Sequence, residues 1–92
     1  MNNIFRIYKD VPNPMQLVLS PIVSSDLSSA KIEVFNFQKT KVFSFTVGNG
    51  ITITDGKLHV SNELNNLKKG DYTLVLAINN GKSINPLIIK VM

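Results

Sequence analysis

The chain has 92 residues, 43% of them hydrophobic and 17% charged, with a net charge of +4 and no cysteine. This composition is typical of a globular protein rather than a disordered one, and the length fits a single domain over residues 1–92. The absence of cysteine excludes disulfides, thiolate zinc sites and thiol nucleophiles.

The charge and hydropathy patterns narrow the possible partners. The ten basic residues are scattered along the chain, which disfavours nucleic acid, whereas a mild positive field favours docking on an acidic protein surface. No run approaches the ~20 apolar residues of a membrane span, and the N-terminus lacks the apolar core of a signal peptide. We therefore expect neither a membrane partner nor an export signal.

The first strand is predicted at 3–9, and Pro12 and Pro14 break the chain after it. Residues 1–14 are thus expected to form a terminal strand tied down only by a Pro-rich link. Such a strand can pair or swap with a partner. Its candidate interface residues are Ile4, Arg6 and Tyr8.

Three more strands are predicted at 15–20, 31–37 and 42–47, and the last two form a hairpin around FNFQKTKVFSF, which holds four of the five phenylalanines. The length of the hairpin loop decides which way these rings point. With an even loop, Phe37 faces Val42, and the core face consists of Ile32, Val34, Phe43, Phe45 and Val47. With an odd loop, all four phenylalanines share one face.

The even loop leaves an apolar patch on the outer face of this hairpin. Patches of this kind mark protein interfaces. The candidate interface residues are Phe35, Phe37 and Val42. The alternative is that every phenylalanine of the hairpin packs in the core, as large apolar residues usually do.

The stretch ITITDGKLHV at 51–60 predicts a second hairpin, because Asp55 and Gly56 suit a two-residue type I′ turn. Such a turn fixes the register of strands at 51–54 and 57–60. The apolar residues that face the core are then Ile51, Ile53, Leu58 and Val60. His59, the only histidine, faces away and has no carboxylate or serine beside it, so we interpret it as surface scaffold.

The last third of the chain begins with SNELNNLKKG, where a single helical turn would point Leu64 and Leu67 inward. The strand at 71–78 is apolar on both faces, which indicates a central place in a sheet, and a final strand is predicted at 86–91. Short strands separated by turn signals predict an all-β fold, specifically an Ig-like two-sheet antiparallel β-sandwich of about 7–8 strands.

The side chains that catalysis needs do not cluster in the sequence. The six acidic residues are dispersed, with no paired-carboxylate spacing. The G-x-G of VGNGIT lacks the third glycine and the helix of a dinucleotide loop, and we interpret it as a turn between strands. The sequence therefore predicts no enzyme, no metal site and no cofactor.

Three phrases occur in an order that resembles the Ig-like virion domains of tailed bacteriophages, in particular N-terminal domains of upper baseplate proteins. They are DLSSAKIEVF (26–35), NGITITDGKLHV (49–60) and NNLKKGDYTLVLAI (65–78). The resemblance covers residues 26–92. Its Leu-x-x-Gly-x-Tyr motif is formed here by Leu67, which would plug the end of the core, Gly70, which permits a tight corner, and Tyr72, whose hydroxyl can cap the backbone there.

The resemblance implies a structural protein of the virion, assembled in the host cytoplasm and acting through contacts with other virion proteins. Capsid decoration is the first expectation, and a tail, baseplate or fibre connector is the alternative. No catalytic residue, metal or cofactor is carried over. A carbohydrate-binding or adhesion module is a hypothesis of another class, weakened by the absence of tryptophan, and an inhibitor of one host protein is a third.

Overall fold

The computed structural model describes residues 4–12, 15–20, 27–78, 82–83 and 86–92. Two short 3-10 turns lie at Leu27–Ser29 and Asn62–Asn66. Within these ranges no α-helix occurs, which confirms the all-β class. The strands are β1 Ile4–Ile7, β2 Val18–Leu19, β3 Lys31–Asn36, β4 Lys41–Val47, β5 Gly50–Thr54, β6 Lys57–Val60, β7 Gly70–Ile78, β8 Lys82–Ser83 and β9 Leu87–Val91.

The described strands form one mixed sheet that curls into a half-barrel, in the order β1-β9-β7-β3-β4-β5-β6-β2. The short strand β8 pairs with the end of β7, on the same side as β9. Two pairs are parallel, β1 with β9 and β4 with β5. The prediction of two antiparallel sheets is therefore wrong, because the described strands are hydrogen-bonded into one continuous sheet that includes parallel pairs.

That continuity arises at a corner between β4 and β5. Thr46 and Asn49 exchange backbone hydrogen bonds of 3.1 and 2.9 Å, and Gly48 N–H donates to the Ile51 carbonyl at 2.9 Å. Gly48 and Gly50 have φ of 86° and 103°, which side chains rarely adopt. The interpretation of VGNGIT as a turn is confirmed, and the turn sets β5 beside β4 in parallel.

The core fills the concave side of the sheet. Every strand from β3 to β7, together with β1 and β9, contributes buried residues, and the 3-10 turn at Asn62–Asn66 covers part of it with Leu64 and, just after it, Leu67. Among the residues that the structure describes, the hydrophobic ones with no exposed surface are Ile32, Val34, Leu58, Val60 and Ile89. The predicted central position of the strand at 71–78 is confirmed, since β7 lies between β3 and β9.

The second hairpin has the predicted register, with Thr52 opposite His59 and Ile53 opposite Leu58. Asp55 and Gly56 both have positive φ, as a type I′ turn requires. One part of the prediction is wrong: Ile53 is 36% exposed. The ladder between β4 and β5 has only two pairs, at Gly50 and Ile51, so Ile53 lies beyond β4 and lacks cover.

The Leu-x-x-Gly-x-Tyr motif forms the entry to β7. Leu67 is buried, Gly70 has φ of 148°, and the half-buried Tyr72 donates its hydroxyl to the Lys68 carbonyl at 2.7 Å. The hydroxyl thus accounts for one backbone acceptor at the turn while the ring packs against the core. The roles expected for these three residues match the geometry.

Candidate functional site: the outer face of the sheet

In the hairpin β3–β4, the side chains lie on the faces that the even-loop alternative predicts. Ile32 pairs with Phe45 and Val34 with Phe43, so these four side chains point into the concave side. The Phe43 and Phe45 rings stack there with centroids 5.3 Å apart. The register differs by two residues from the predicted one: Val34 lies opposite Phe43, whereas Phe37 opposite Val42 would place Val34 opposite Phe45. Phe37 itself belongs to the turn.

The turn of this hairpin, residues 37–40, is held by one side chain. Asn36 Oδ1 accepts hydrogen bonds from the backbone N–H groups of Gln38 and Thr40, both at 2.9 Å. The Asn36 backbone adds a 2.9 Å bond to the Thr40 carbonyl and accepts another from Lys39 N–H. Asparagine commonly stabilises a turn in this way. A well-fixed turn therefore carries Phe37, which is 77% exposed.

Next to the turn, a β-bulge changes the register of the two strands. Val34 pairs with Phe43, but Phe35 pairs with Lys41, which leaves Val42 as the extra residue of β4. Val42 is exposed and Phe35 half-buried. The three candidate residues of the hairpin, Phe35, Phe37 and Val42, therefore lie at the same end of β3 and β4 and outside the core.

A mostly apolar row of side chains crosses the outer face from this hairpin to the N-terminal strand. Ile4 on β1 is level with Ile88 on β9, Ile88 with Thr73 on β7, and Thr73 with Phe35 on β3. Adjacent strands lie about 4.8 Å apart, so the row extends over roughly 14 Å. Together with Phe37 and Val42 at its β4 end, we call this set of side chains the outer strip.

The N-terminal strand contributes to the strip in a different way from the one expected. Ile4, Arg6 and Tyr8 alternate with the buried Ile7 and are all exposed on the outside. The strand is not tied down by the Pro-rich link alone, since β1 pairs with β9 over four residues of its own chain. Pro14 lies outside the described residues.

Further contacts fix the end of that strand. The Ile7 carbonyl accepts from Met92 N–H at 2.8 Å, and Lys9 N–H donates to the Met92 carbonyl at 3.0 Å. The Lys9 ammonium donates to the carbonyls of Asn65 and Leu67, at 3.0 and 2.9 Å. A strand with these bonds and a buried Ile7 is part of the fold, and removing it would expose core.

Charged side chains surround the outer strip, and most are basic. Arg6 and Lys90 lie level with Asp71 in the next row. Glu33 on β3 lies between Lys31 on the same strand and Lys41 on β4. Lys39 lies at the turn. Among the described residues, this face therefore has five cations and two carboxylates, which account for most of the net charge of +4.

One ion pair is formed within this set. The Lys41 ammonium donates a 3.0 Å hydrogen bond to Glu33 Oε2 and thereby lowers the pKa of that carboxyl below 4.5, against a smaller opposing effect of desolvation. Because folding lowers this pKa, the pair stabilises the fold above the ordinary pKa of glutamate, and the contribution is lost as the pH falls through the lowered value. Exposed pairs of this kind contribute little, at most about 1 kcal/mol.

Other sequence features give no sign of a second site. His59 is half-buried between Thr52 and Val18, its register partners on β5 and β2, with no carboxylate among them. Among the residues that the structure describes, no three of the His, Cys, Asp and Glu side chains come close enough to hold a metal ion. None of the helices in the described part of the chain is long and apolar enough to cross a bilayer.

Several residues of the site are not predicted from the sequence. Thr73 and Ile88 complete the outer strip, but their alignment with Phe35 and Ile4 follows from pairing between distant strands, which the sequence does not reveal. Lys39 and Asn36 shape the turn. Asn36 carried a usable signal, because asparagine at the end of a strand before a short polar loop is typical of a side-chain-capped turn.

The chain matches none of the protein-family models, and no curated protein is significantly similar to it.

Proposed function

We propose that the chain is a structural protein that docks on another protein through its outer strip, and that it serves as a capsid decoration subunit of a tailed phage. The outer strip is the observation that carries the docking role. It offers an aromatic side chain on a fixed turn, an apolar row behind it and a charged rim, which is the usual anatomy of a protein interface.

The phage assignment rests on the three sequence phrases that resemble virion domains. A tail, baseplate or fibre connector would use the same surface in the same way. No residue is assigned a catalytic role in this proposal, and its partners are other virion proteins.

The proposal is tested on purified particles of the phage whose genome encodes the chain. We expect the chain to sediment with them, and Phe37→Ser or Val42→Ser to weaken binding. Truncating an aromatic anchor typically costs at least about 2 kcal/mol, or roughly thirtyfold in affinity. Quantitative sedimentation of added protein with particles stripped of it provides the measurement.

Matched controls come from β2, at the opposite edge of the sheet from β1, and from the segment that precedes β2. Met15 is 79% exposed, as open as Phe37, and Val18 on β2 is 39% exposed against 38% for Val42. Met15→Ser and Val18→Ser should leave particle binding unchanged. Absence of the chain from the particles would refute the virion role, and equal losses in the two pairs of variants would refute the outer strip as the docking surface.

A further inference from the structure

A shallow groove lies on the outer face between the turn of the β3–β4 hairpin and β7. It is lined by Phe35, Asn36, Lys39 and Thr73 and has a volume of about 320 Å³. That is at the lower end of the range for small-ligand sites, about 300 to 1,000 Å³. The groove has the size for one large side chain of a partner, next to the point where Phe37 protrudes.

The walls of the groove are fixed before any partner arrives. Asn36 holds the turn through its side-chain bonds to Gln38 and Thr40. Lys39 has φ of 64° and donates its backbone N–H to the Asn36 carbonyl, which sets the direction in which its side chain leaves the turn. Phe35 and Thr73 face each other as a register pair of β3 and β7. A preformed groove loses little entropy when it is filled.

The charges around the groove select the partner. Lys41 is paired with Glu33, but the structure shows no ion pair between the Lys39 ammonium and any described residue. With Arg6, Lys31 and Lys90 on the same face, an approaching molecule meets a positive field. Two copies of this face would bring like charges together, which opposes self-association through it.

We infer that the groove takes an apolar or aromatic side chain from an acidic protein segment, whose carboxylates pair with Lys39 and the neighbouring cations. This inference rests on the proposed docking function and gives the chemistry of the partner. Apolar burial in the groove supplies affinity, and the positive rim rejects basic segments.

The test uses capped pentapeptides as probes in amide-detected NMR titrations of the full chain. One probe has phenylalanine between two pairs of aspartates, a second has serine in its place, and a third has phenylalanine between lysines. The first should shift the amide signals of Phe35, Asn36, Lys39 and Thr73, and bind at least roughly tenfold more tightly than the other two.

Two lysine variants separate the groove from general charge attraction. Lys39→Gln should weaken the acidic probe roughly two- to fivefold, as expected for a partly exposed ion pair, whereas Lys57→Gln at the other hairpin should leave its affinity unchanged. Equal binding of the basic probe, shifts located elsewhere, or equal effects of the two variants would overturn the inference. Concentration-dependent shifts of the groove signals without peptide would also overturn it, in favour of a second copy as the occupant.

The inference and the docking proposal fail in different ways. If the peptides do not bind but Phe37→Ser still releases the protein from particles, the acidic-partner inference falls and the docking function stands. If the acidic peptide binds as described but the chain does not sediment with particles, the virion role falls and the groove chemistry stands.

Discussion

Replacing Gly50 by alanine should destabilise the protein by about 2–5 kcal/mol, because two costs combine at this position. A side chain at φ of 103° is strained, which costs about 1–2 kcal/mol. The new Cβ would also overlap the ring of Phe45, which is buried in the core, and overpacking typically costs about 1–3 kcal/mol. Urea unfolding followed by circular dichroism measures the change in free energy.

Gly48 provides the control for this prediction. Its φ is 86°, but a Cβ there meets no atom within 4 Å. Gly48→Ala should therefore lower the free energy of unfolding only by the backbone strain, about 1–2 kcal/mol. In a double-mutant cycle, Phe45→Ala should reduce the cost of Gly50→Ala, since it removes the overlapping ring. Equal costs for the two glycines, with no coupling to Phe45, would show that the corner is not packed as described.

Leu58→Ala should cost about 2–5 kcal/mol, the range for a fully buried leucine that leaves a cavity. Leu58 has no exposed surface, and it lies opposite Ile53, which is 36% exposed on the same face of the hairpin. Ile53→Ala should therefore be clearly milder, because water already reaches that side chain and the gap can fill. Thermal and urea unfolding of the two variants measure the difference.

The comparison between these two residues tests where the curled sheet stops covering the hairpin. A loss at Ile53 as large as that at Leu58 would mean that the core extends over the whole hairpin, as the alternation of the sequence suggests. It would contradict the short ladder between β4 and β5.

The second hairpin could be predicted from the sequence almost completely, because a two-residue Asp55-Gly56 turn permits one register. The hairpin β3–β4 could not be settled in the same way. Its loop length was open, and the outcome depends on the side chain of Asn36 and on the bulge at Val42. An even loop and an odd loop are both compatible with the alternation of residues in the two strands, so the observed strand pairing was needed to distinguish them.

The arrangement of the sheet was harder to predict than its strands. The parallel pairing of β1 with β9 joins the two ends of the chain, and alternation within a strand says nothing about a distant neighbour. The sequence predicts a turn at Gly48 and Gly50, but the direction in which the chain leaves this turn depends on backbone dihedrals that the sequence pattern does not specify. For the same reason the alignment of Ile4 with Phe35 on one face emerged only from the structure.

Site-specific cross-linking tests most directly whether a partner binds on the outer strip. A photoreactive phenylalanine analogue would replace Phe37 in one sample and the equally exposed Met15 in another, each bound to phage particles. We predict that irradiation joins the chain to a neighbouring virion protein from position 37 but not from position 15. Cross-linking from position 15 alone, or equally from both, would contradict the assignment of the outer strip as the docking surface.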